Sequence, residues 1–483
     1  MAIALTALAG CAVGPDYQRP EARTLGLPDS YATPIGPAAV SDLSIWWRRF
    51  DDPLLADLIG RATAANLDIA VAEARLRQAR ESLVQSRASL LPSLSGSAGV
   101  THDVSYGHSS TVIIGSGDPA TGGSTVTTGG SSASTQLSLG LDASWQADIF
   151  GGTARNVEAA RASAQAALFD LVSVRTSVAG EVATNYIDAR LAQVRLAIAR
   201  DTLKIQDDNL QIAGWRVQAG LVSSVDVEQA RAQRAQTAAS IPLLETSLAN
   251  AVNRLGVLTG QAPEALRDTM AAAGPIPRGP DAVAVGIPAD TLRQRPDVRA
   301  AERSLAAATA QIGVAQAQLY PALAISGQFN TAASHVGGLG DLVSGAFFAG
   351  LTQTIFDGGR LRSQLRSARA AADAAFATYR QTVLGGLEEV ENAIQALNSA
   401  KARQAALATA LDASNNAAIL ARSEYRAGLT DFLTLLQSEQ SLLSARDSLA
   451  QSQADQALAL VRLYLALGGG WQPDAPELSG NTR

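Results

Sequence analysis

The stretch that decides the fold of this chain is Leu137-Ser138-Leu139-Gly140-Leu141-Asp142-Ala143-Ser144-Trp145-Gln146-Ala147-Asp148-Ile149. Apolar residues alternate here with small or polar residues, which is the pattern of a β-strand with one apolar face. In a soluble protein that face would pack on a core, whereas in an outer-membrane barrel it faces lipid and the polar face lines water. Because the neighbouring segments offer no second layer, the pattern favours lipid.

The sequence that surrounds this strand occurs twice in the chain. Its end, Asp148-Ile149-Phe150-Gly151-Gly152, matches Thr354-Ile355-Phe356-Asp357-Gly358-Gly359, and Gln218-Ala219-Gly220-Leu221 matches Arg426-Ala427-Gly428-Leu429. Each copy reads as a helix, two strands and further long helices, so the chain is an internal duplication. The first repeat covers residues 53–260, with strands at about 92–106 and 134–149. The second covers residues 290–468, with strands at about 321–333 and 342–356.

Four further segments complete the predicted organisation. They are a signal or lipobox remnant at 1–11, an extended arm at 12–52, a linker at 261–289 and a C-terminal tail at 469–483.

The helices of each repeat are predicted from apolar residues that recur every three or four positions. From residue 359 this pattern continues to about Ala427, which predicts one helix of about 68 residues and roughly 100 Å. The first helix is expected to begin at Asp52-Pro53 and to reach Leu91, where Pro92 ends it. No run of 18 apolar residues occurs, so no transmembrane helix is predicted.

Four strands per chain are too few for a closed barrel, because transmembrane barrels start at about 8 strands. An open sheet would also leave unpaired edge groups in lipid. Two chains would give eight strands and a filled lumen, and three would give about 12 strands and a wider bore. We predict the trimer, since a narrow barrel would not match so long a helical conduit. The fold class is therefore α+β: a trimeric outer-membrane β-barrel continued by a long α-helical barrel.

Composition excludes several classes of protein. A net charge of −6 over 483 residues argues against nucleic-acid binding, and one cysteine excludes a disulfide framework. His102, His108 and His335 are expected in loops near the strand tips, too scattered to form a metal site. No GxSxG, P-loop or HExxH motif occurs. We therefore predict neither an enzyme nor a bound cofactor or metal.

The single cysteine ends the motif Leu8-Ala9-Gly10-Cys11, which resembles a bacterial lipobox. We expect a lipid on Cys11, the alternative being a chance cysteine in an apolar N-terminus. The preceding run lacks the basic residues of a secretory signal, so we expect the natural start codon to lie upstream.

Further motifs resemble one family in both kind and order. They are Gly14-Pro15-Asp16-Tyr17, Trp46-Trp47-Arg48-Arg49-Phe50, Asp52-Pro53-Leu54-Leu55, Leu292-Arg293-Gln294-Arg295-Pro296-Asp297-Val298 and Ile355-Phe356-Asp357-Gly358-Gly359. Together with the lipobox and the duplication, they are similar to the outer-membrane factor family of TolC-like efflux proteins, in the lipoprotein branch often labelled NodT.

The resemblance implies a homotrimeric duct in outer-membrane lipid that extends into the periplasm. A periplasmic adaptor protein and an inner-membrane pump of the resistance-nodulation-division type would deliver small molecules to it. Two alternatives remain open at this stage. The same fold also serves type I protein secretion, and the helices alone would suit a soluble helical scaffold.

The resemblance also assigns candidate sites. Gly220, Leu221, Gly428 and Leu429 match the hairpin tips that dock the adaptor, although each glycine could equally be a helix cap without a partner. Asp226, Asp431, Leu433 and Gln437 match the periplasmic aperture, where three-fold symmetry would turn each acid into a ring that attracts cations. Many relatives carry Asp at the position of Gln437. An Asp near a helix N-terminus could also serve only the helix dipole.

Overall fold

The structure of the chain is a computed structural model that describes residues 12–32, 43–105, 110–113, 125–128, 132–280, 283 and 288–472. The helices are α1 (Ala22–Leu25), α2 (Pro53–Ala65), α3 (Leu67–Ala88), α4 (Gly152–Gln218), α5 (Ser224–Leu258), α6 (Pro288–Gln294), α7 (Pro296–Ala317), α8 (Arg360–Ala427) and α9 (Phe432–Ala466). The strands are β1 (Ser93–Ser105), β2 (Ser110–Ile113), β3 (Thr125–Thr128), β4 (Ser132–Ala147), β5 (Ala322–Ala333) and β6 (Val343–Thr352).

The prediction of one helix from Asp52-Pro53 to Leu91 is wrong in two respects. Its start is correct, because the Asp52 carboxylate accepts hydrogen bonds from the Leu54 and Leu55 amides at 3.0 and 3.1 Å. The helix is interrupted at Asn66, whose side-chain oxygen accepts from the amides of Asp68 and Ile69 and so starts α3. An Asn side chain competes for backbone amides in this way and makes a good N-cap. Helix α3 then ends at Ala88.

Long helices dominate both repeats. Helix α4 has 67 residues and α8 has 68, which confirms the single long helix predicted from residue 359. Each is followed by a glycine with positive φ, +69° at Gly220 and +75° at Gly428. A left-handed glycine ends a helix without steric cost, so the chain turns back at each of these glycines into a 35-residue helix, α5 or α9. Among the described residues, no helix is both long and apolar enough to span a bilayer.

The main sheet is antiparallel and has the strand order β1-β4-β5-β6. Its register aligns the apolar positions of all four strands, since Leu141 lies opposite Gly96 on β1 and Phe329 on β5, and Gly327 lies opposite Phe347 on β6. Paired residues point to the same side of a sheet. The sheet therefore has one apolar face and one face of small and polar residues. Strands β1 and β6 form its edges in the described part of the chain.

The connection between β1 and β4 contains a feature that the sequence pattern missed. Strands β2 and β3 pair antiparallel as a separate two-stranded sheet. The four predicted strands are thus the main sheet, and the hairpin is an addition to one loop of the first repeat.

The chain divides into two compact units. One contains all six strands, with the described residues of 12–17, 81–161 and 307–372. The other contains the main hydrophobic core, to which Trp46, Leu55, Ile59, Val182, Tyr186, Leu255 and Tyr464 contribute. Trp46 stacks on Tyr464 with 5.6 Å between ring centroids, so the Trp-Trp-Arg-Arg-Phe motif is a core element of this unit.

A second sequence motif has a clear structural role in the core unit. Arg295 is buried and donates to both oxygens of Asp297 at 3.1 and 2.7 Å, and to the Ala466 carbonyl at 2.9 Å. It also pairs with Glu389 at 2.7 Å. A guanidinium with several fixed acceptors holds its partners in register. The Arg-Pro-Asp segment therefore joins the start of α7 to α8 and the end of α9.

Candidate functional site

The first predicted tip is the turn between α4 and α5. Gly220 donates its amide to the Val217 carbonyl at 3.0 Å, and Leu221 donates to the Arg216 carbonyl at 2.9 Å. These two bonds close the end of α4, as in a Schellman motif. Leu221 is 71% exposed, so the turn presents an uncovered apolar side chain.

The second predicted tip, between α8 and α9, repeats this geometry. Gly428 donates to the Tyr425 carbonyl at 3.1 Å, and Leu429 donates to the Glu424 carbonyl at 2.9 Å. Leu429 is 79% exposed. The two repeats thus end in the same turn, and each shows an exposed leucine directly after its glycine.

The four predicted aperture residues lie just beyond these tips, at the N-cap of α9 or within the first two turns of α5 and α9. Asp226 is half-buried in the first turn of α5, while Leu433 and Gln437 are exposed one turn apart on α9. Asp431 is the N-cap of α9, where its carboxylate accepts from the Thr434 amide at 2.8 Å. Hydrogen bonds from Thr434 hold the pKa of Asp431 below its usual value. Asp431 therefore has a structural role in addition to any role in an aperture.

The sequence did not predict a buried cluster behind the tips. We call it the tip cluster, and its members are Ala213, Ala230, Ala421, Tyr425, Phe432 and Leu435. The Tyr425 and Phe432 rings are 5.6 Å apart, and the Arg216 guanidinium lies 4.3 Å from the Tyr425 ring centroid. Arg216 and Tyr425 belong to α4 and α8, so the cluster packs the ends of the two long helices together.

A buried carboxylate was also missed. Glu439 accepts a hydrogen bond from Asn209 at 2.6 Å and two from the Arg422 guanidinium at 3.2 Å, which links α4, α8 and α9. We call this set the Glu439 bridge. A signal was present in the sequence, because Glu439 continues the spacing of Phe432 and Leu435, the apolar stripe of α9. An acid within such a stripe needs a buried partner.

The extended arm has a fixed place in the strand-containing unit. The Val13 amide donates to the Phe150 carbonyl at 3.1 Å, directly after β4. Arg155, at the start of α4, pairs with Asp16 and donates to the Val13 carbonyl. Cys11 lies outside the described residues, but the residues that follow it are bound where β4 passes into α4.

The histidines do not form a site in the described part of the chain. His102 lies in strand β1, not in a loop as predicted, and contacts the Thr135 hydroxyl at 2.9 Å. His335 follows β5 and contacts Ser334. His108 is outside the described residues. Among those that are described, no group of three His, Cys, Asp or Glu residues could hold a metal ion.

The sequence model of the outer membrane efflux protein family matches residues 58–261 and 287–469. Nodulation protein T of Rhizobium leguminosarum bv. trifolii is 32% identical over 472 residues, 97% of this chain and 96% of that protein. The pyoverdine export outer membrane protein OpmQ of Pseudomonas putida is 32% identical over 434 residues, 89% of each chain.

Among solved structures, the outer-membrane channel OprN is similar to this chain with a TM-score of 0.82 and 36% sequence identity. The likeness covers 95% of this chain and 100% of that one.

Proposed function

Because the chain belongs to the outer membrane efflux protein family, we propose that it is the exit duct that a periplasmic adaptor and an inner-membrane pump load with small molecules. It is an outer-membrane channel of an efflux system, a trimer in which each chain contributes four strands. We also infer that it has no catalytic activity.

The observation that carries the proposal is the pair of matching tips. Each ends a helix of 67 or 68 residues, and each exposes a leucine that nothing in the described chain covers. Exposed apolar side chains on a rigid turn are suited to a protein partner, because their burial releases water. We therefore propose Gly220, Leu221, Gly428 and Leu429 as adaptor contacts, and an adaptor that serves a pump of the resistance-nodulation-division type.

The aperture is proposed at Asp226, Asp431, Leu433 and Gln437. Three chains would turn these side chains into rings of carboxylates, leucines and amides close to the tips. Carboxylate rings favour cations, and leucines can narrow a pore to the point of dewetting. Gln437 lies one turn after Leu433 on α9. Because it is an amide and not an acid, the ring that three Gln437 side chains would form contributes hydrogen bonds and no charge.

A clean test of the aperture removes charge and keeps the helix caps. Asp431→Ser introduces the cap that Ser223 provides at the matching place of the first hairpin, where the Ser223 hydroxyl accepts from the Val225 amide. Combined with Asp226→Asn, it is expected to lower the preference for cations over anions in planar bilayers. An unchanged reversal potential in a salt gradient would remove both residues from the aperture.

The lipid anchor is proposed at Cys11. The arm supports it, because Val13 is bonded to Phe150 at the helix-side end of β4, so a lipid on Cys11 would start near that end of the strands. A precursor with a full signal peptide and Cys11→Ser should lose metabolic palmitate labelling. Labelling that persists would show that another residue is acylated.

The cargo is proposed to be small molecules chosen by the pump. Similar proteins are named for the export of pyoverdine and for the efflux of toluene, and those names apply to those proteins alone. The chemistry they span favours a permissive duct over one narrow pocket.

The decisive experiment is the mass of the detergent-extracted protein together with its single-channel current. We expect three times the chain mass of 49.8 kDa, a small current, and capture by an adaptor from the same gene cluster. A monomer without conductance would reject the duct. A conducting trimer that binds only the adaptor of an ATP-driven protein exporter would favour protein secretion instead.

A further inference from the structure

The polar face of the main sheet contains one residue that breaks its pattern. Ser93, Ser144, Ser326 and Phe348 lie opposite one another across β1, β4, β5 and β6, so they share that face. Its other described positions carry glycine, alanine or polar side chains. Phe348 is the exception, and it is 62% exposed. In an outer-membrane barrel this face lines the water-filled interior.

The Phe348 ring is placed by its neighbour on the same strand. A methyl group on Gly350 would come within 2.6 Å of the ring, so the ring occupies the space above that glycine. The ring therefore lies along the wall over Gly350, and over half of its surface is accessible. An aromatic ring with an open face can receive a cation or another ring.

The charged side chains on the polar face of the main sheet are acidic. Asp142 on β4 and Asp103 on β1 belong to it, and none of the four strands of the main sheet contains Lys or Arg. Asp142 is exposed and lies opposite Gln328, one inward-facing position along from the row of Phe348. With strands about 4.8 Å apart, Asp142 and Phe348 are about 12 Å apart along the wall. That separation suits an extended organic ion better than a metal ion.

The internal duplication relates Asp142 to Phe348. Ile149 and Ile355 are equivalent, and counting back from them places Asp142 and Phe348 at the same position of the two repeats. Three-fold symmetry would therefore alternate carboxylates and aromatic rings around the interior.

We propose that this part of the barrel wall is a transit site for lipophilic organic cations, with Phe348 as the aromatic contact and Asp142 as the charge contact. The inference rests on the proposed duct and adds a class of cargo to it. A delocalised cation gains from an aromatic face and from nearby carboxylates, whereas a compact hydrated cation gains only from the charge.

The test is block of single-channel current by tetraphenylphosphonium, added on the side of the strands to the purified trimer in a planar bilayer. Phe348→Leu keeps an apolar side chain and removes the ring, so the blocking concentration should rise about fivefold. Phe348→Tyr should retain the wild-type block. Asp142→Asn should weaken block by tetraphenylphosphonium and also block by Mg²⁺, a compact hydrated cation, because both cations gain from the carboxylate.

The matched control is Phe347→Leu, on the opposite face of the same strand and 78% exposed, which should leave the block unchanged. Equal block of wild type and Phe348→Leu would overturn the proposal, and so would an equal loss of block for both cations in that variant. A wild-type protein that neither trimerises nor conducts would reject the proposed duct itself. A conducting trimer that fails only these tests would reject the transit site and would not reject the proposed duct.

Discussion

The two helical hairpins of this chain, α4–α5 and α8–α9, have nearly the same helix lengths and different buried contacts. The spacing that relates Gly220 to Gly428 also relates Ser223 to Asp431 and Arg231 to Glu439. Arg231 is exposed and pairs with Glu228 on its own helix, whereas Glu439 is buried and binds two other helices. The second hairpin is thus bonded to the end of α4, and the equivalent position of the first contributes a surface pair.

This difference shows how a duplicated fold can assign separate tasks to its halves. Surface ion pairs of neighbouring residues contribute about 0 to 1 kcal/mol, while loss of one partner from a buried pair costs about 3 to 5 kcal/mol. Movement of the second hairpin relative to α4 must therefore break strong bonds, and we expect any opening of the tips to depend on the Glu439 bridge.

The largest effect is expected from Glu439→Ala. The substitution leaves Arg422 and Asn209 without their acceptor and should cost about 3 kcal/mol of unfolding free energy. It should also raise the resting single-channel current, because the second hairpin is released. Arg231→Ala, at the equivalent position of the first hairpin, should change both quantities little. Equal effects of the two substitutions on thermal unfolding in detergent would remove the contrast between the hairpins.

The next effect concerns the sheet, where the repeats should behave alike. Leu141→Arg and Phe347→Arg place a charge at equivalent positions of the apolar face and should cost about 2 to 4 kcal/mol per site near the bilayer midplane. Assembly, followed as heat-modifiable trimers on gels, should fail in both variants. Gln328→Arg, on the polar face, should still assemble. Normal trimers from Leu141→Arg would show that this face does not meet lipid.

A smaller effect is expected at the tips. Burial of one leucine contributes about 1.5 to 3 kcal/mol, so Leu221→Asp and Leu429→Asp should each weaken adaptor binding by at least tenfold. Binding can be measured by biolayer interferometry on the detergent-solubilised trimer. The exposed Leu243→Asp on α5 is the control and should bind as wild type. If only one of the two tip variants loses affinity, the adaptor distinguishes the repeats.

The smallest effect is expected from a change of pH, which should weaken the N-cap of α9 at Asp431 and leave the N-cap of α5 at Ser223 unchanged. Hydrogen bonds from Thr434 to the charged form hold the pKa of Asp431 below its usual value. The contribution of Asp431 to the helix end is therefore complete above the usual carboxyl pKa and is lost as pH falls through the lowered pKa. Ser223 does not titrate in this range. Hydrogen exchange near residue 431 should speed up at low pH in wild type relative to Asp431→Ser at the same pH, with no such difference near residue 223.

Much of this architecture was predictable because its signals are local. The alternation in residues 137–149 and the apolar spacing of α8 are periodicities that a strand and a helix impose directly on sequence. The break at Asn66 was missed because the surrounding pattern remains helical and only the side-chain cap interrupts it. The hairpin of β2 and β3 was missed because short polar strands in a loop have no apolar face to mark them.

Some of the candidate site residues likewise have a local signal in the sequence, and others do not. The tip glycines could be identified because a positive φ favours one residue type. The apolar stripe of α9 indicates that Glu439 is buried, but its partners could not be identified, since Asn209 and Arg422 lie on other helices and only packing brings them to Glu439. The proposed roles of Asp226, Asp431, Leu433 and Gln437 stay predictions, because one chain does not contain the rings that three chains would form.

The sequence by itself determined the duplicated repeats, the two-faced strands and the long helices, because backbone periodicity and turn chemistry act between near neighbours. Only the tertiary structure decided which side chain of each matched pair is buried. Burial depends on what the rest of the chain brings against a position, so the matched positions 231 and 439 became a surface cation and a buried bridge. The same reason applies to Asp142 and Phe348, which share one wall only because strand register aligns them.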